Sequence, residues 1–270
     1  MQPKPFVKWA GGKRQLVHEL LKYSPQEFNN YFEPFFGGGA LFFELYSKNK
    51  INHAFLNDFN KELITAYKVI KEQPKELIKE LSSEKYKADE KTFYKIRENQ
   101  PVNSIEQTAR FIYLNRTAFN GLYRVNSKGQ FNVPFGKYKN PKILDKENIL
   151  AVSEALQKDE LTSVDFEKAI EKAKKGDFVY FDPPYQRLEK TASFTKYTIN
   201  DFTEKDQERL RDCFRKLDKK GCYIMLSNSY TKFILDLYKG YKIHTVMATR
   251  LINCKAEKRG KIKEVIITNY

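Results

Sequence analysis

Short apolar runs, four of which end on or beside an acidic residue, alternate with helical segments along most of this chain. Their composition is typical of buried strands, and they cover residues 31–35, 53–58, 161–165, 178–182, 222–227 and 264–268. Between them lie segments with apolar residues at helical spacing, such as residues 60–70 and 204–217. This alternation predicts an α/β fold with a parallel sheet. Ligands bind such sheets at the carboxyl ends of the strands, where Glu33, Asp58, Asp165 and Asp182 lie.

The alternation is interrupted in the middle of the chain. Helical periodicity marks residues 93–98 and 105–115, and a stretch rich in Gly, Asn and basic residues follows over 120–136. The turn residues of that stretch indicate a basic hairpin. We therefore predict a main domain over residues 1–60 and 159–270, with an inserted domain over residues 61–158.

The chain is strongly basic, with 49 Lys and Arg residues against 34 Asp and Glu residues and a formal charge of +15. Such a surplus suits a polyanionic partner such as nucleic acid, although many basic proteins bind none. The basic clusters at residues 116–142 and 250–263 also contain Gly, Asn and aromatic residues. The hydrophobic fraction of 41% is enough for a sizeable core, which argues against disorder.

The sequence predicts neither a membrane segment nor a metal site. No run approaches the ~20 consecutive apolar residues of a membrane helix, and residues 1–5 lack the apolar run of a signal peptide. We therefore expect a cytoplasmic protein. Cys213, Cys222 and Cys254 are widely spaced and form no C-x-x-C pair, so they indicate neither a disulfide framework nor a zinc site.

A glycine loop, residues 37–39, directly follows the first apolar run and opens a helix. Glycines let a ligand approach the backbone, above the free N–H groups of the helix. The sequence lacks both the Gly-Lys-Ser/Thr of a phosphate-binding loop and the G-x-G-x-x-G spacing of a dinucleotide site. Asp58 stands about twenty residues on, where an acid typically accepts hydrogen bonds from ribose hydroxyls. The pattern favours a nucleoside; a plain glycine turn with a helix-capping acid is the alternative.

Asp182-Pro183-Pro184-Tyr185 follows the apolar run at residues 178–181. Two prolines fix φ and remove two N–H groups, so the carbonyls here project into a site. The carboxylate and the carbonyl of Pro183 form an acceptor surface that suits an exocyclic amine, and Tyr185 offers a ring for stacking. A mere turn is the alternative.

The N-terminal motif, residues 5–13, contains the only tryptophan, Trp9, and a Gly11-Gly12-Lys13 turn ahead of a helix. A cation at that turn could hold a ligand carboxylate, and an aromatic face could cover a nucleoside or a sulfonium. A core tryptophan and a solvated lysine are the alternative.

These motifs, in this order and spacing, resemble the Dam-type group of DNA adenine-N6 methyltransferases, which use S-adenosylmethionine. The likeness continues through residues 114–126 and 131–138, which resemble that family's GATC-reading hairpin, and it covers essentially the whole chain. It implies a Rossmann-like, seven-stranded catalytic domain with a helical and β-hairpin target-recognition domain inserted at residues 61–158. Phe119, where Tyr is also common, and Lys137, where Arg is usual, depart from the family pattern.

The resemblance also implies roles for individual residues. Catalysis is expected from Asp182, Pro183, Pro184 and Tyr185. Contacts to S-adenosylmethionine are expected from Trp9, Lys13, Glu33, Phe35, Gly37, Gly39, Asp58, Asp165, Phe166 and Asp182. Contacts to double-stranded DNA containing GATC are expected from Lys8, Asn120, Leu122, Arg124, Asn126, Pro134, Lys137 and Lys139.

Three residues of that DNA-binding set have side chains suited to distinct contacts. The planar fork of Arg124 can bond guanine O6 and N7, Leu122 would wedge between base steps, and Lys8 could reach a guanine from the catalytic side. A contact from Arg124 to phosphate alone is the alternative.

Two other functions compete with adenine methylation: a DNA-binding module without catalysis, and a methylase of another amine, such as cytosine N4 or a protein glutamine. The intact Asp-Pro-Pro-Tyr and glycine motifs speak against the first, and Asp182 against the second, since Ser or Asn is expected there. With a pKa near ~4, Asp182 is too weak a base to deprotonate the amine beforehand. The sequence leaves open whether a cognate restriction endonuclease acts on the same site.

Overall fold

The structure, a computed structural model, describes residues 1–9, 11, 13–186, 202–249 and 261–270. Three predicted features therefore lie wholly or partly outside the described residues. They are the Gly12 turn position, Cys254, and most of the basic cluster at 250–263.

The predicted sheet is present, and it contains seven strands among the described residues. In chain order they are β1 Tyr31–Glu33, β2 Ala54–Asn57, β3 Glu160–Thr162, β4 Phe178–Phe181, β5 Tyr223–Ser229, β6 Lys242–Thr249 and β7 Lys261–Thr268. Their order across the sheet is β3-β2-β1-β4-β5-β7-β6. The six predicted strands are confirmed as β1 to β5 and β7.

One end of the sheet departs from the prediction. The strands β1 to β5 pair in parallel, but β7 pairs antiparallel with both β5 and β6. The parallel direction predicted from the sequence is therefore wrong for β7. No strand is predicted over β6, an edge strand in which Val246 and Ala248 are buried while Met247 between them is 52% exposed. An alternating strand of this kind has no continuous apolar run.

Helices cover both faces of the sheet and form most of the insert. They are α1 Val17–Tyr23, α2 Ala40–Ser47, α3 Lys61–Glu72, α4 Pro74–Leu81, α5 Glu90–Glu98, α6 Ser104–Thr117, α7 Lys146–Leu156, α8 Phe166–Ala169, α9 Glu204–Lys220 and α10 Lys232–Leu237. Two short 3-10 helices are Lys13–Gln15 and Phe119–Gly121. The predicted helical segments at 60–70, 93–98, 105–115 and 204–217 lie in α3, α5, α6 and α9. None of the helices in the described ranges is long and apolar enough to cross a membrane.

The apolar core lies on the two faces of the sheet, divided by the pleat of the strands. Tyr31 and Phe178 face one cluster, whereas Phe32 and Val179 face the other. The first cluster continues without a break into the helices of the insert, where it includes Tyr113 of α6. The side chains of the insert therefore pack on the same core as the sheet.

The hairpin of the insert follows α6. Antiparallel bridges join Ala118 to Phe135 and Val125 to Phe131, which brings the two arms of the predicted hairpin together. The turn closes at Asn126, whose N–H donates to the carbonyl of Gln130 over 2.8 Å. The predicted turn-rich hairpin is present.

Candidate active site

The topological switch point of the sheet lies between β1 and β4. The chain runs from β1 outward through β2 to β3, then returns to the other side of β1 with β4. Loops diverge at such a point and leave a crevice at the carboxyl ends of the strands. Glu33 ends β1, Asp58 follows β2 and Asp182 follows β4, so the sheet brings these three carboxyl groups to one edge.

Two of the three residues in the glycine loop after β1 have a backbone conformation and a close neighbour that only glycine accommodates without strain. Gly37 and Gly39 have φ of +48° and +67°. A Cβ at Gly37 would lie 2.8 Å from the ring of Trp9, and a Cβ at Gly39 would lie 2.6 Å from the ring of Phe36. Gly39 also caps α2. A Cβ at Gly38 would make only ordinary contacts, the nearest at 3.5 Å.

Asp58 braces this glycine loop. Its carboxylate accepts a hydrogen bond from the N–H of Gly37 over 2.8 Å and another from the N–H of Asn60 over 2.9 Å. The helix cap of α3 is Asn60, which accepts from the N–H of Leu63 over 3.0 Å. Burial raises the pKa of Asp58 to about 6, although the two N–H groups oppose the shift. The cap of α3 is therefore Asn60 and not Asp58, whose carboxylate lies beside the glycine backbone.

Glu33 is buried, with 3% of its surface exposed. It accepts a hydrogen bond from the hydroxyl of Tyr31 over 2.8 Å. Burial raises the pKa of Glu33 well above its ordinary value, and the charges of Asp182 and Asp58 add to the shift. The edge of the sheet thus concentrates carboxyl groups whose ionised forms are disfavoured.

Lys13 supplies positive charge to this edge. Its ammonium lies 2.8 Å from the carboxylate of Asp182, and the lysine is only 8% exposed. The ammonium also donates to the carbonyl of Gly11 over 2.9 Å and lies 4.4 Å from the ring centroid of Tyr185. Lys13 is therefore not a solvated lysine. The partner predicted for it was the carboxylate of a ligand, whereas the structure pairs it with the carboxylate of the Asp-Pro-Pro-Tyr motif.

Burial raises the pKa of Asp182 to about 6, and the nearby Lys13 limits the shift. This value is above the ordinary value of about 4 assumed from the sequence. It is still too low for a base that removes a proton from an aromatic amine. The carboxylate is suited to accept hydrogen bonds from an amine.

Tyr185 is fixed at its hydroxyl, which donates to the carboxylate of Glu264 on β7 over 2.9 Å. Pro183 is buried, and the carbonyl of Pro184 accepts from the side chain of Gln207 over 3.0 Å. The motif is thus tied to α9 and β7, and one face of the tyrosine ring lies against the Lys13 ammonium. These ties identify the motif as a built loop rather than an exposed turn.

The predicted cofactor residues Phe35, Asp165 and Phe166 lie together beyond the glycine loop. The ring of Phe166 is 6% exposed and packs 5.5 Å from the ring of Phe35, measured between centroids. Asp165 caps α8 by accepting from the N–H of Glu167 over 3.0 Å. Its carboxylate also lies 3.0 Å from the guanidinium of Arg209, which covers the ring of Phe166 at 4.8 Å.

Trp9 joins the glycine loop to the insert. Its ring packs against Gly37 and stacks on the ring of Tyr123 with centroids 5.5 Å apart. The hydroxyl of Tyr123 donates to Glu62 of α3 over 2.7 Å. Trp9 is therefore a partly buried packing residue at the junction of sheet and insert, beside the candidate site.

Lys8 lies at the same junction and is exposed. Its backbone N–H and carbonyl both bond the buried side chain of Asn115 over 2.8 Å. Its ammonium lies 5.2 Å from the ring centroid of Tyr138, and its methylenes lie against Gly121. The structure thus brings Lys8 together with the hairpin, as its predicted DNA-binding role requires.

Within the hairpin, Arg124 is half-buried and donates from Nε to the side chain of Asn132 over 2.7 Å. Asn126 is used to close the turn, because its side chain accepts from the N–H groups of Lys128 and Gln130 over 2.9 and 3.0 Å. The other predicted DNA contacts, Leu122 excepted, are exposed: Asn120, Pro134, Lys137 and Lys139. Leu122 is half-buried.

Sequence reasoning missed several residues of this region. Glu264 holds Tyr185, Asn115 holds Lys8, and Gln207 holds Pro184. The only sequence signal for such residues is a polar side chain within an apolar stretch, as in Asn115 of α6. Phe119, noted only as a departure from the family pattern, is 52% exposed at the base of the hairpin. In the described ranges no group of three or more His, Cys, Asp or Glu could hold a metal ion.

Comparison with known proteins gives matches over nearly the whole chain. The family described as D12 class N6 adenine-specific DNA methyltransferase matches residues 9–252. A type II methyltransferase of Lactococcus lactis subsp. cremoris is 48% identical, over 99% of this chain and 95% of the relative. A type II methyltransferase of Methanocaldococcus jannaschii is 46% identical over 100% of both chains. A DNA adenine methylase of Haemophilus influenzae is 35% identical, over 98% of this chain and 93% of the relative.

Proposed function

Because the chain belongs to the D12 class of N6 adenine-specific DNA methyltransferases, we propose that it methylates the adenine of GATC in duplex DNA, with S-adenosylmethionine as the methyl donor. The proposal includes turning the adenine out of the double helix, because N6 is stacked and paired inside it.

The observation that carries the proposal is the acceptor surface at the end of β4. Asp182 is 19% exposed and ionises with a pKa of about 6, so its carboxylate is charged at neutral pH. The carboxylate and the carbonyl of Pro183 would each accept one N–H of the adenine amine, which draws the nitrogen lone pair out of the ring. The ring of Tyr185 would support the base. Methyl transfer would then depend on positioning and on the charges of the site.

The residues at the carboxyl ends of β1 and β2 fit a cationic nucleoside. Asp58 presents a carboxylate beside the glycine backbone, which suits ribose hydroxyls, and Asp182 provides negative charge nearby. Phe35 and Phe166 are aromatic neighbours for a base, whereas Lys13 is paired with Asp182. When bound, S-adenosylmethionine supplies a methyl group on a sulfonium.

The insert, residues 61–158, is proposed as the target-recognition domain, and residues 1–60 and 159–270 as the catalytic domain. The charge of +15 supports DNA binding, and the exposed Lys8 beside the hairpin supports binding on this side. Lys8, Asn120, Leu122, Arg124 and the exposed lysines of the second arm are the proposed contacts. The Lactococcus and Methanocaldococcus relatives are both named type II methyltransferases. These names support the proposal that a restriction endonuclease acts on the same site.

The test combines transfer of labelled methyl groups with analysis of the product. Purified protein is incubated with labelled S-adenosylmethionine and plasmid DNA, the modified nucleoside is identified by mass spectrometry, and the plasmid is digested with endonucleases that sense adenine methylation in GATC. We expect N6-methyladenine and altered cutting at GATC. The Asp182→Ala protein, checked for folding by circular dichroism, is expected to give no product.

Each part of the proposal can be contradicted separately. N6-methyladenine in another sequence would contradict the GATC assignment and leave the reaction in place. N4-methylcytosine would contradict the choice of amine. Near-normal methylation by a folded Asp182→Ala protein would contradict the role of the acceptor surface.

A further inference from the structure

Side chains from α9 and β5 bond the backbone on both sides of Tyr185. On one side, the carbonyl of Pro184 accepts from the amide of Gln207 over 3.0 Å. On the other side, the N–H of Gln186 donates to the side chain of Asn228 over 3.2 Å, and the carbonyl of Gln186 accepts from the hydroxyl of Ser229 over 2.8 Å.

These three polar side chains are buried and connected to one another. Gln207 and Asn228 have no exposed surface, and Ser229 is 4% exposed. Asn228 donates to Gln207 over 3.1 Å and accepts from the N–H of Ser229 over 2.9 Å. Buried polar groups destabilise a protein unless their hydrogen bonds are made. Here the backbone of Pro184 and Gln186 supplies some of the hydrogen-bond partners that these side chains need.

The position of this cluster in the fold is unusual. The apolar side of α9 and the preceding residues of β5 belong to the core, where Leu210 and Leu226 are fully buried. Apolar residues at the three polar positions would serve the packing of helix on sheet equally well. What only the polar residues provide is a fixed path for the chain at residues 184–186.

We propose that Gln207, Asn228 and Ser229 are positioning residues for the reaction, which hold Tyr185 in the orientation that supports the adenine. The inference rests on the role proposed above for the Asp-Pro-Pro-Tyr motif. The cluster holds the backbone on both sides of Tyr185. The bond from the tyrosine hydroxyl to Glu264 holds the end of its side chain. Small displacements of a group that supports the substrate lower the rate strongly, so loss of one of the backbone bonds at residues 184–186 reduces turnover.

The experiment uses Ser229, because its hydroxyl is removed by a small substitution. Ser229→Ala loses the donor to Gln186, whereas Ser229→Thr keeps a hydroxyl. The matched control is Ser153→Ala on α7, where a buried serine hydroxyl donates to the carbonyl of Lys71 over 3.1 Å. Each protein is measured for melting temperature, for kcat, and for KM toward DNA and S-adenosylmethionine.

We expect kcat of Ser229→Ala to fall about tenfold while both KM values stay within about twofold, because the hydroxyl is expected to act only in the reacting geometry. Ser229→Thr should recover most of the rate. Ser153→Ala should lose stability without losing kcat. In a Tyr185→Ala background, Ser229→Ala should have almost no further effect, because residues that act through one another are not additive.

Several results would overturn the inference. They are an unchanged kcat for Ser229→Ala, a kcat loss that Ser153→Ala reproduces, and a full additional loss in the Tyr185→Ala background. These outcomes leave the proposed function in place, provided that the wild-type protein methylates adenine and Asp182→Ala does not. An inactive wild-type protein would remove the proposed function and this inference together.

Discussion

We expect the pH dependence of methylation to be set by the half-buried carboxylate of Asp182. Its pKa is raised from 3.8 to about 6. The amine can be bound only by the ionised form, so activity should be lost as the pH falls through about 6. At pH 5 about a tenth of the sites would be ionised, against about nine tenths for an aspartate of ordinary pKa. We therefore expect the rate at pH 5 to be about a tenth of the plateau above pH 7.

The assay is the initial rate with DNA and S-adenosylmethionine both well below saturation, since this rate reports the ionisation of the ligand-free enzyme. Asp58 also has a pKa of about 6, so an acid limb alone does not assign the group. Lys13 separates the two, because it contacts Asp182, whereas Asp58 is bonded by the N–H groups of Gly37 and Asn60.

Removing the ammonium in Lys13→Met should move the acid limb to higher pH, because Lys13 lowers the pKa of Asp182. The plateau rate will also fall if Lys13 holds the cofactor. The pH at which the acid limb lies does not depend on that plateau rate. Lys75→Met, an exposed lysine on α4, controls for loss of one positive charge. A limb below pH 5 in the wild-type protein, or one that Lys13→Met leaves in place, would refute the reasoning.

Four further predictions follow from the geometry. In a methylation assay, Tyr185→Phe should keep the rate within about threefold while Tyr185→Ala loses more than about tenfold, because stacking depends on ring area. Equal losses would show that the hydroxyl is the group that matters. Gly39→Ala should melt well below Gly38→Ala, because only the former combines positive φ with a contact of 2.6 Å; equal melting temperatures would contradict the loop geometry. Arg124→Ala should accept sites altered at one guanine–cytosine pair of GATC, with a loss of about 1–3 kcal/mol of discrimination between matched and altered duplexes. If the methylation rate falls by the same factor on both duplexes, Arg124 contacts a phosphate instead. Asp159→Asn should stabilise the protein by up to about 3 kcal/mol at pH 8, with no gain at pH 4. The reason is that burial raises the pKa of Asp159 to about 6, so stability is lost as the pH rises through that value; a gain of equal size in denaturation at both pH values would exclude ionisation as the cause.

Most of the strands that the sequence predicted are buried on both faces, although β3 at the edge of the sheet is not. All four residues of β4 are buried, and such a strand is visible as a continuous apolar run. The edge strand β6 has one exposed face. Its composition does not distinguish it from a loop or from a short helix. The direction of β7 depends on its pairing with β5 and β6, which is a property of the whole sheet rather than of residues 261–268.

The candidate site was predictable where a motif limits its own backbone. Two consecutive prolines and positive-φ glycines restrict the chain locally, so Asp182 and the glycine loop could be placed at strand ends from the sequence. The partners of these motifs could not. Lys13 meets Asp182 only because the N-terminal segment folds back over the sheet, and Glu264 reaches Tyr185 only because β7 pairs beside β5. Such contacts depend on tertiary packing between distant parts of the chain.

The buried carboxyl groups differ in the number of hydrogen-bond donors that they meet. Asp177 is 1% exposed, and its carboxylate accepts from the N–H of Asn30, from the amide of the same residue and from the N–H of Lys174. Glu33 and Asp182 lack such a set of donors, and the pKa of each is raised. A buried carboxylate with few donors destabilises the fold, and Asp159, beside the first residue of β2, has a raised pKa as well, so a raised pKa alone does not mark a functional residue. A positively charged ligand at this edge would lower both pKa values and recover part of that stability, and a sulfonium beside the carboxylates has the charge to do so.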